Sequence, residues 1–152
     1  MRNICCFAGH GKLSYGNDVK EQVSDKCREL IINYCVNEFW VGNYGSFDRL
    51  AADIVRTLKQ QYPGIELNLV IPYLTKDINT YKEQYYKDYD NILIAQIPVG
   101  TPKRYQILKC NQYMVDKSEY LISFVNCSFG GAAKTLEYAE RKRHIKVFNC
   151  GK

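Results

Sequence analysis

Six short runs along the chain are almost continuously apolar: ICCFA at 4–8, EFWVG at 38–42, IELNLVI at 65–71, NILIAQI at 91–97, YLISFV at 120–125 and IKVFN at 145–149. They are rich in β-branched, aromatic and cysteine residues and do not alternate with polar ones, the pattern of strands covered on both faces of a parallel sheet. Between them the apolar positions fall at the helical period. Val19, Val23, Cys27, Leu30, Ile31, Tyr34 and Cys35 predict a helix over about 17–36. Phe47, Leu50, Ala51, Ile54, Val55 and Leu58 predict a second, with Ser46 as its N-cap and Pro63-Gly64 closing the segment. Ile107, Leu108, Met114 and Val115 mark a third, interrupted by the polar Asn111, and Leu136 and Ala139 anchor a fourth. Strands alternating with helices predict a doubly wound α/β domain: one mostly parallel sheet of about six strands, with helices on both faces. No linker, repeat or low-complexity tract divides the chain, so 1–152 is expected to be one domain.

The segment 72–103 breaks this regularity. Tyr73, Tyr81, Tyr85, Tyr86 and Tyr89 crowd its first half among lysines and aspartates. Tyrosine joins a large apolar body to a polar tip, which suits a ligand lid or a subunit interface. An amphipathic helix laying its rings on the sheet explains the pattern as well.

Composition narrows the picture. With 46% hydrophobic and 24% charged residues the chain is globular rather than disordered. No apolar run reaches the ~20 residues that span a bilayer, and the N-terminal apolar stretch is too short for a signal peptide, so a cytoplasmic location is expected. Seven cysteines include no C-x-x-C pair, and with two histidines no metal site is evident. Cys5, Cys6, Cys27 and Cys35 fall on apolar positions and are expected in the core. The net charge of +5 permits an anionic partner without requiring one. The basic run at 140–146 sits at the predicted end of the last helix, where cations suit the helix dipole. No cofactor is expected, and nucleic acid is the weakest of the possible partners.

In an open α/β sheet, ligands bind beyond the carboxyl ends of the strands. Three glycine turns fall there: FAGHGK at 7–12, VGNYGSFD at 41–48 and NCSFGGAAKT at 126–135, each ahead of a predicted helix. Glycine lets backbone approach a ligand, and the unpaired amides of a helix start favour phosphate. None fits G-x-G-x-x-G or G-x-x-x-x-G-K-[ST], which turns the reading from dinucleotides and P-loop substrates to another phosphate-bearing, nucleotide-like molecule.

The ordered set AGHGK, GNYGSFDRLAADIVRTLKQQYP, VIPY, NQYMVDKSEYLISFV and FGGAAKTLEYAERK resembles the SLOG superfamily along nearly the whole chain, closest to its small single-domain branch. The resemblance implies a Rossmann-like fold and binding of nucleotides or their derivatives. It implies as ligand-binding candidates Gly9 and His10, then Gly42, Asn43, Gly45, Ser46 and Asp48, then Gly130, Gly131, Ala132, Thr135 and Glu137. Superfamily phosphoribohydrolases carry P-G-G-x-G-T-x-x-E. Here Gly130, Gly131 and Glu137 match, whereas Phe129, Ala133 and Lys134 replace the proline, the third glycine and the threonine, with Thr135 one place later. The position where those enzymes place a working arginine holds Cys110, beside Lys109. The leading expectation is therefore a sensor or sequestering module for a nucleotide or ADP-ribose-type molecule. The alternative is an enzyme acting on an N-glycosidic bond, as a phosphoribohydrolase or deoxyribosyltransferase-like protein, with Glu137 as its carboxylate. Glu137 has a plainer alternative of its own, an exposed i,i+4 pair with Arg141. The tyrosine-rich segment and the small size of related domains add the expectation of a homo-oligomer.

Overall fold

A computed structural model describes residues 3–151. Six strands, β1 (Ile4–Gly9), β2 (Glu38–Val41), β3 (Glu66–Ile71), β4 (Asn91–Ile94), β5 (Tyr120–Phe124) and β6 (Lys146–Asn149), form one sheet in the order β4-β3-β2-β1-β5-β6. All five pairings are parallel. The helices are α1 (Asn17–Tyr34), α2 (Ser46–Gln61), α3 (Lys76–Thr80), α4 (Lys82–Asp88), α5 (Lys103–Lys117) and α6 (Gly131–Glu140). This is the Rossmann-like α/β architecture that the alternating pattern predicts.

Strand parity divides the core in two. Cys5 and Phe7 of β1, Phe39 and Val41 of β2 and Leu67 of β3 face α1 and α2, meeting Val23, Cys27, Leu30, Ala51, Val55 and Leu58. Ile4, Cys6 and Ala8, with Trp40 and Val70, face the other way onto Cys110, Met114 and Val115 of α5 and Leu136 and Ala139 of α6. Because both faces are covered, consecutive strand residues are all buried, which is why the strands read as unbroken apolar runs.

Several local expectations are revised. Gly45, not Ser46, is the N-cap of α2, and the Ser46 hydroxyl donates instead to the His10 carbonyl (3.3 Å). Cys35 is exposed rather than core, because it caps α1 in the left-handed region at φ 58° and so points off the helix face. Strand β4 stops at Ile94 rather than continuing to 97. The Ala95 amide makes one last bond to Ile71 O (2.8 Å), and the chain then turns away toward Pro98, which has no N–H to donate. The basic residues after Glu140 lie beyond the last turn of α6, not within it.

The tyrosine-rich segment forms two short helices, α3 and α4, the first capped by Thr75, whose hydroxyl accepts from the Ile78 amide (3.3 Å). Tyr85 and Tyr89 stack (centroids 6.4 Å apart) and pack with Ile78 over Leu69 and Ile71, whereas Tyr73, Tyr81 and Tyr86 turn to solvent. The reading in which the rings lie on the sheet thus holds for Tyr85 and Tyr89 only. Among the described residues, no helix is long and apolar enough to cross a membrane.

Candidate functional site

Strand β1 lies between β2 and β5, and the connections leaving β1 and β5 run to helices on opposite faces of the sheet. Their departing loops must separate, and the crevice they leave is where this topology places ligands. A cavity of about 500 Å³ opens there. Its walls are the turn after β1 (Gly9 to Leu13), the start of α2 (Tyr44, Gly45, Asp48), the turn from β5 into α6 (Asn126 to Ala132), and Ile107 and Asn111 of α5.

The first two turns hold each other by backbone contact. The Ser46 amide donates to Gly11 O (3.0 Å), and a β-carbon on Gly45 would stand 2.4 Å from Gly11 Cα. A β-carbon on Gly9 would strike the Phe47 ring at 2.2 Å. Glycine at 9 and 45 therefore serves close packing between chain segments. At the third turn its role differs. Gly130 has φ 95° and ψ 171°, a conformation that is essentially glycine's alone, while a β-carbon on Gly131 would meet nothing within 4 Å. The first bond of α6 runs from the Lys134 amide to Gly130 O (3.1 Å), so the amides of residues 131–133 precede the helical ladder and remain donors at the positive end of its dipole.

His10 is pinned on every side. Its amide donates to Phe124 O (3.3 Å), its carbonyl accepts from the Tyr15 hydroxyl (2.5 Å) and from Ser46, and its Nε2 accepts from the Asn126 amide (3.1 Å). Asp48 reaches back along its helix and accepts from the Tyr44 amide (3.1 Å). Burial raises the Asp48 carboxyl from the usual 3.8 to about 6, against the pull of that amide and of Arg49. Lys12 supplies a cation to the same cleft. Leu13, Tyr44, Ile107 and Phe129 give it an apolar rim, Phe129 being 74% exposed.

Of the residues expected from sequence, Gly9, His10, Gly45, Asp48, Gly130, Gly131 and Ala132 line this one cleft. The others do not. Gly42 lies behind the Asp48 carboxylate, its notional β-carbon 3.1 Å from Oδ2. Asn43 faces a separate groove with Arg49, Arg56 and Tyr81. Ser46 is spent on the turn after β1, and the buried Thr135 donates within its own helix to Gly131 O (2.9 Å). Glu137 is exposed, pairs with Arg141 and stays outside the lining, so its placement is that of the plainer alternative. Cys110 is buried, its Sγ 3.7 Å from Val70 O, and burial pushes its thiol up to about 12. Lys109, beside it, turns to Gln112 (3.4 Å). The cleft thus receives no cation from that stretch of α5.

Lys12, Leu13, Tyr44, Asn126, Cys127 and Phe129 line the cleft without having been singled out, though all lie within or beside the three turns. Asn111 had a signal of its own: a polar residue on an apolar helical stripe. Ile107 and Asn111 face the cleft, and Cys110 and Met114 supply the buried contact instead. No group of three metal-ligating side chains occurs among the described residues.

Among solved structures, the molybdenum cofactor carrier protein of Chlamydomonas reinhardtii superposes with a TM-score of 0.59 at 12% identity, over 99% of this chain and 78% of that one; the likeness is one of fold. No curated protein matches the chain in sequence. The sequence model of the YspA SLOG family matches residues 12–146, and a match of that extent, on a fold with its cleft at the reversal of strand order, makes this chain a member of that family of small-molecule-binding domains.

Proposed function

We propose that the cleft binds a nucleotide or ADP-ribose-type molecule, and that the protein is a sensor or sequestering module for it. The observation that carries this reading is the start of α6: Gly130, Gly131 and Ala132 line the cleft that Lys12 also lines, where the first amides of the helix precede its hydrogen-bond ladder. Two charge-complementary features on one cavity suit a phosphate or diphosphate. The apolar rim suits the flat face of a base, since aromatic and aliphatic walls bury such rings without demanding a particular hydrogen-bond pattern. Asp48 offers an acceptor for ribose hydroxyls.

The test is ligand-induced stabilisation. A ligand at 100 times its Kd adds about 2.7 kcal/mol, which is roughly 5–10 °C in Tm for a domain of this size. ADP-ribose or a nucleoside mono- or diphosphate should give such a shift. Gly131→Asp should abolish it while leaving the unliganded melting curve in place, because the new side chain enters open space and brings negative charge to the phosphate position. Equal shifts in the two proteins would remove the α6 start from the site.

Turnover is not part of the proposal. Cleavage of an N-glycosidic bond needs groups that favour the transition state over bound substrate. Glu137 is held at the surface by Arg141, and Cys110 stands buried where a cation would be wanted. Nucleoside monophosphates should therefore bind without release of free base by chromatography, and Glu137→Gln should leave binding unchanged. Free base released at enzyme-like rates and lost in Glu137→Gln would reinstate the hydrolase.

A further inference from the structure

Asn111 interrupts the apolar stripe of α5, and its neighbours on the helix divide around it. Cys110, Met114 and Val115 are buried in the core, whereas Ile107, one turn earlier on the same face, lines the cleft with Asn111. Asparagine is a poor residue for the middle of a helix unless its side chain caps or bonds the backbone. Here it does neither: Asn111 is partly buried, and among the described residues its side-chain amide makes no hydrogen bond. Nor is that amide sealed in the core, where the unpaired polar side-chain atom among the described residues is Ser118 Oγ. It opens onto a cleft whose nearby wall is largely apolar, with Leu13, Tyr44, Ile107 and Phe129. Asn126, the other amide side chain of the lining, is exposed and belongs to the turn from β5 into α6. Water satisfies the Asn111 amide while the cleft is open. A ligand that fills the cleft removes that water and must supply a donor and an acceptor in its place, or leave the amide unpaired at a cost.

We infer that Asn111 is a specificity-determining residue that reads the base of the ligand and selects adenine. The inference rests on the ligand reading above and narrows it. The amide offers Oδ1 as acceptor and Nδ2 as donor side by side. Adenine presents the complement: its 6-amino group donates to Oδ1, and its ring nitrogen at position 1 accepts from Nδ2. Among the four bases of RNA, adenine has the pairing edge with two polar positions, whereas guanine, cytosine and uracil each have three. One amide therefore covers the adenine edge, and would leave a polar group of any of the others unpaired against an apolar wall.

Calorimetric titration of the intact protein with AMP, with purine riboside 5′-monophosphate (AMP without its 6-amino group) and with GMP tests the pairing. The wild type should bind AMP about tenfold more tightly than either of the others, since each leaves a buried polar group without its partner. Asn111→Leu, which extends the apolar wall, should lower AMP affinity about tenfold and erase the preference for AMP over the analogue lacking the amine. Equal affinity of the wild type for AMP and that analogue, or for AMP and GMP, overturns the proposal, and these comparisons need no variant. A preference for AMP that persists in Asn111→Leu also overturns it, because another group then reads the amine. Absence of AMP binding overturns it as well, and the melting shift with ADP-ribose then decides separately whether the ligand reading stands.

Discussion

At the scale of single residues, the cleft carries a cost in stability. Asp48 is the clearest instance. Its folded value, about 6, lies above the usual 3.8, so the folded protein holds a proton there that the unfolded chain releases. That contribution to stability is fully present below about pH 3.8 and is lost as pH rises through about 6. Asp48→Asn keeps an acceptor for the Tyr44 amide and never ionises. It should melt higher than wild type at pH 7, by about 2–4 °C for each kcal/mol recovered, and the gap should close near pH 4. A gap that did not change with pH would show that ionisation at 48 is not its source. The glycines separate by reason in the same way. Gly130→Ala should cost about 1–3 kcal/mol because of its backbone conformation, whereas Gly131→Ala should change stability by less than about 0.5 kcal/mol; urea titration of both variants measures the contrast. Sequence marks all of these positions as glycine turns. It does not say which glycines face a ligand and which make room for Phe47 or Gly11, because that depends on segments brought together by the sheet.

At the scale of elements, α2 does most to shape the site, since one helix both builds the core and starts at the cleft. Phe47, in its first turn, is fully buried, lies over Gly9, and meets Tyr15 and Phe7 edge-on at 5.4 and 6.5 Å between centroids. Phe47→Ala should cost about 3–5 kcal/mol of stability, read as a lower denaturation midpoint. It should also loosen the turn after β1, read as faster amide exchange at residues 9–11. Loss of stability with unchanged exchange there would separate the core role from the positioning role. Elements of this kind were legible because burial on both faces leaves a strong apolar signal, and each predicted strand lies within three residues of an observed one. The region 72–90 was not, because its rings divide between sheet and solvent and blur the period. On α5 the apolar period was right, but its cleft-facing edge at Ile107 and Asn111 read as part of the core stripe.

At the scale of the whole molecule, the sheet ends in two different edges, and the β4 edge is the less finished. Leu74, Tyr86 and Ile94 are 53%, 50% and 50% exposed and surround one hollow with Ile78 and Ile92. Val99 and Tyr81, also well exposed, flank the same part of the chain. An open parallel edge beside solvent-facing apolar side chains is a site for strand pairing or apolar contact unless something covers it. We propose that a second copy of this chain does so, because pairing β4 with its own symmetry mate would satisfy both edges at once and bury both sets of rings. Light scattering at micromolar concentration should then give twice the 17.7 kDa of the single chain. Ile94→Lys, which sets a charge on the exposed edge without entering the core, should return the mass to that of the monomer while leaving the far-UV circular dichroism unchanged. The cleft lies at β1 and β5, away from this edge, so the monomeric variant should keep the ligand-induced rise in Tm. A wild-type protein that scatters as a monomer at these concentrations would overturn the dimer.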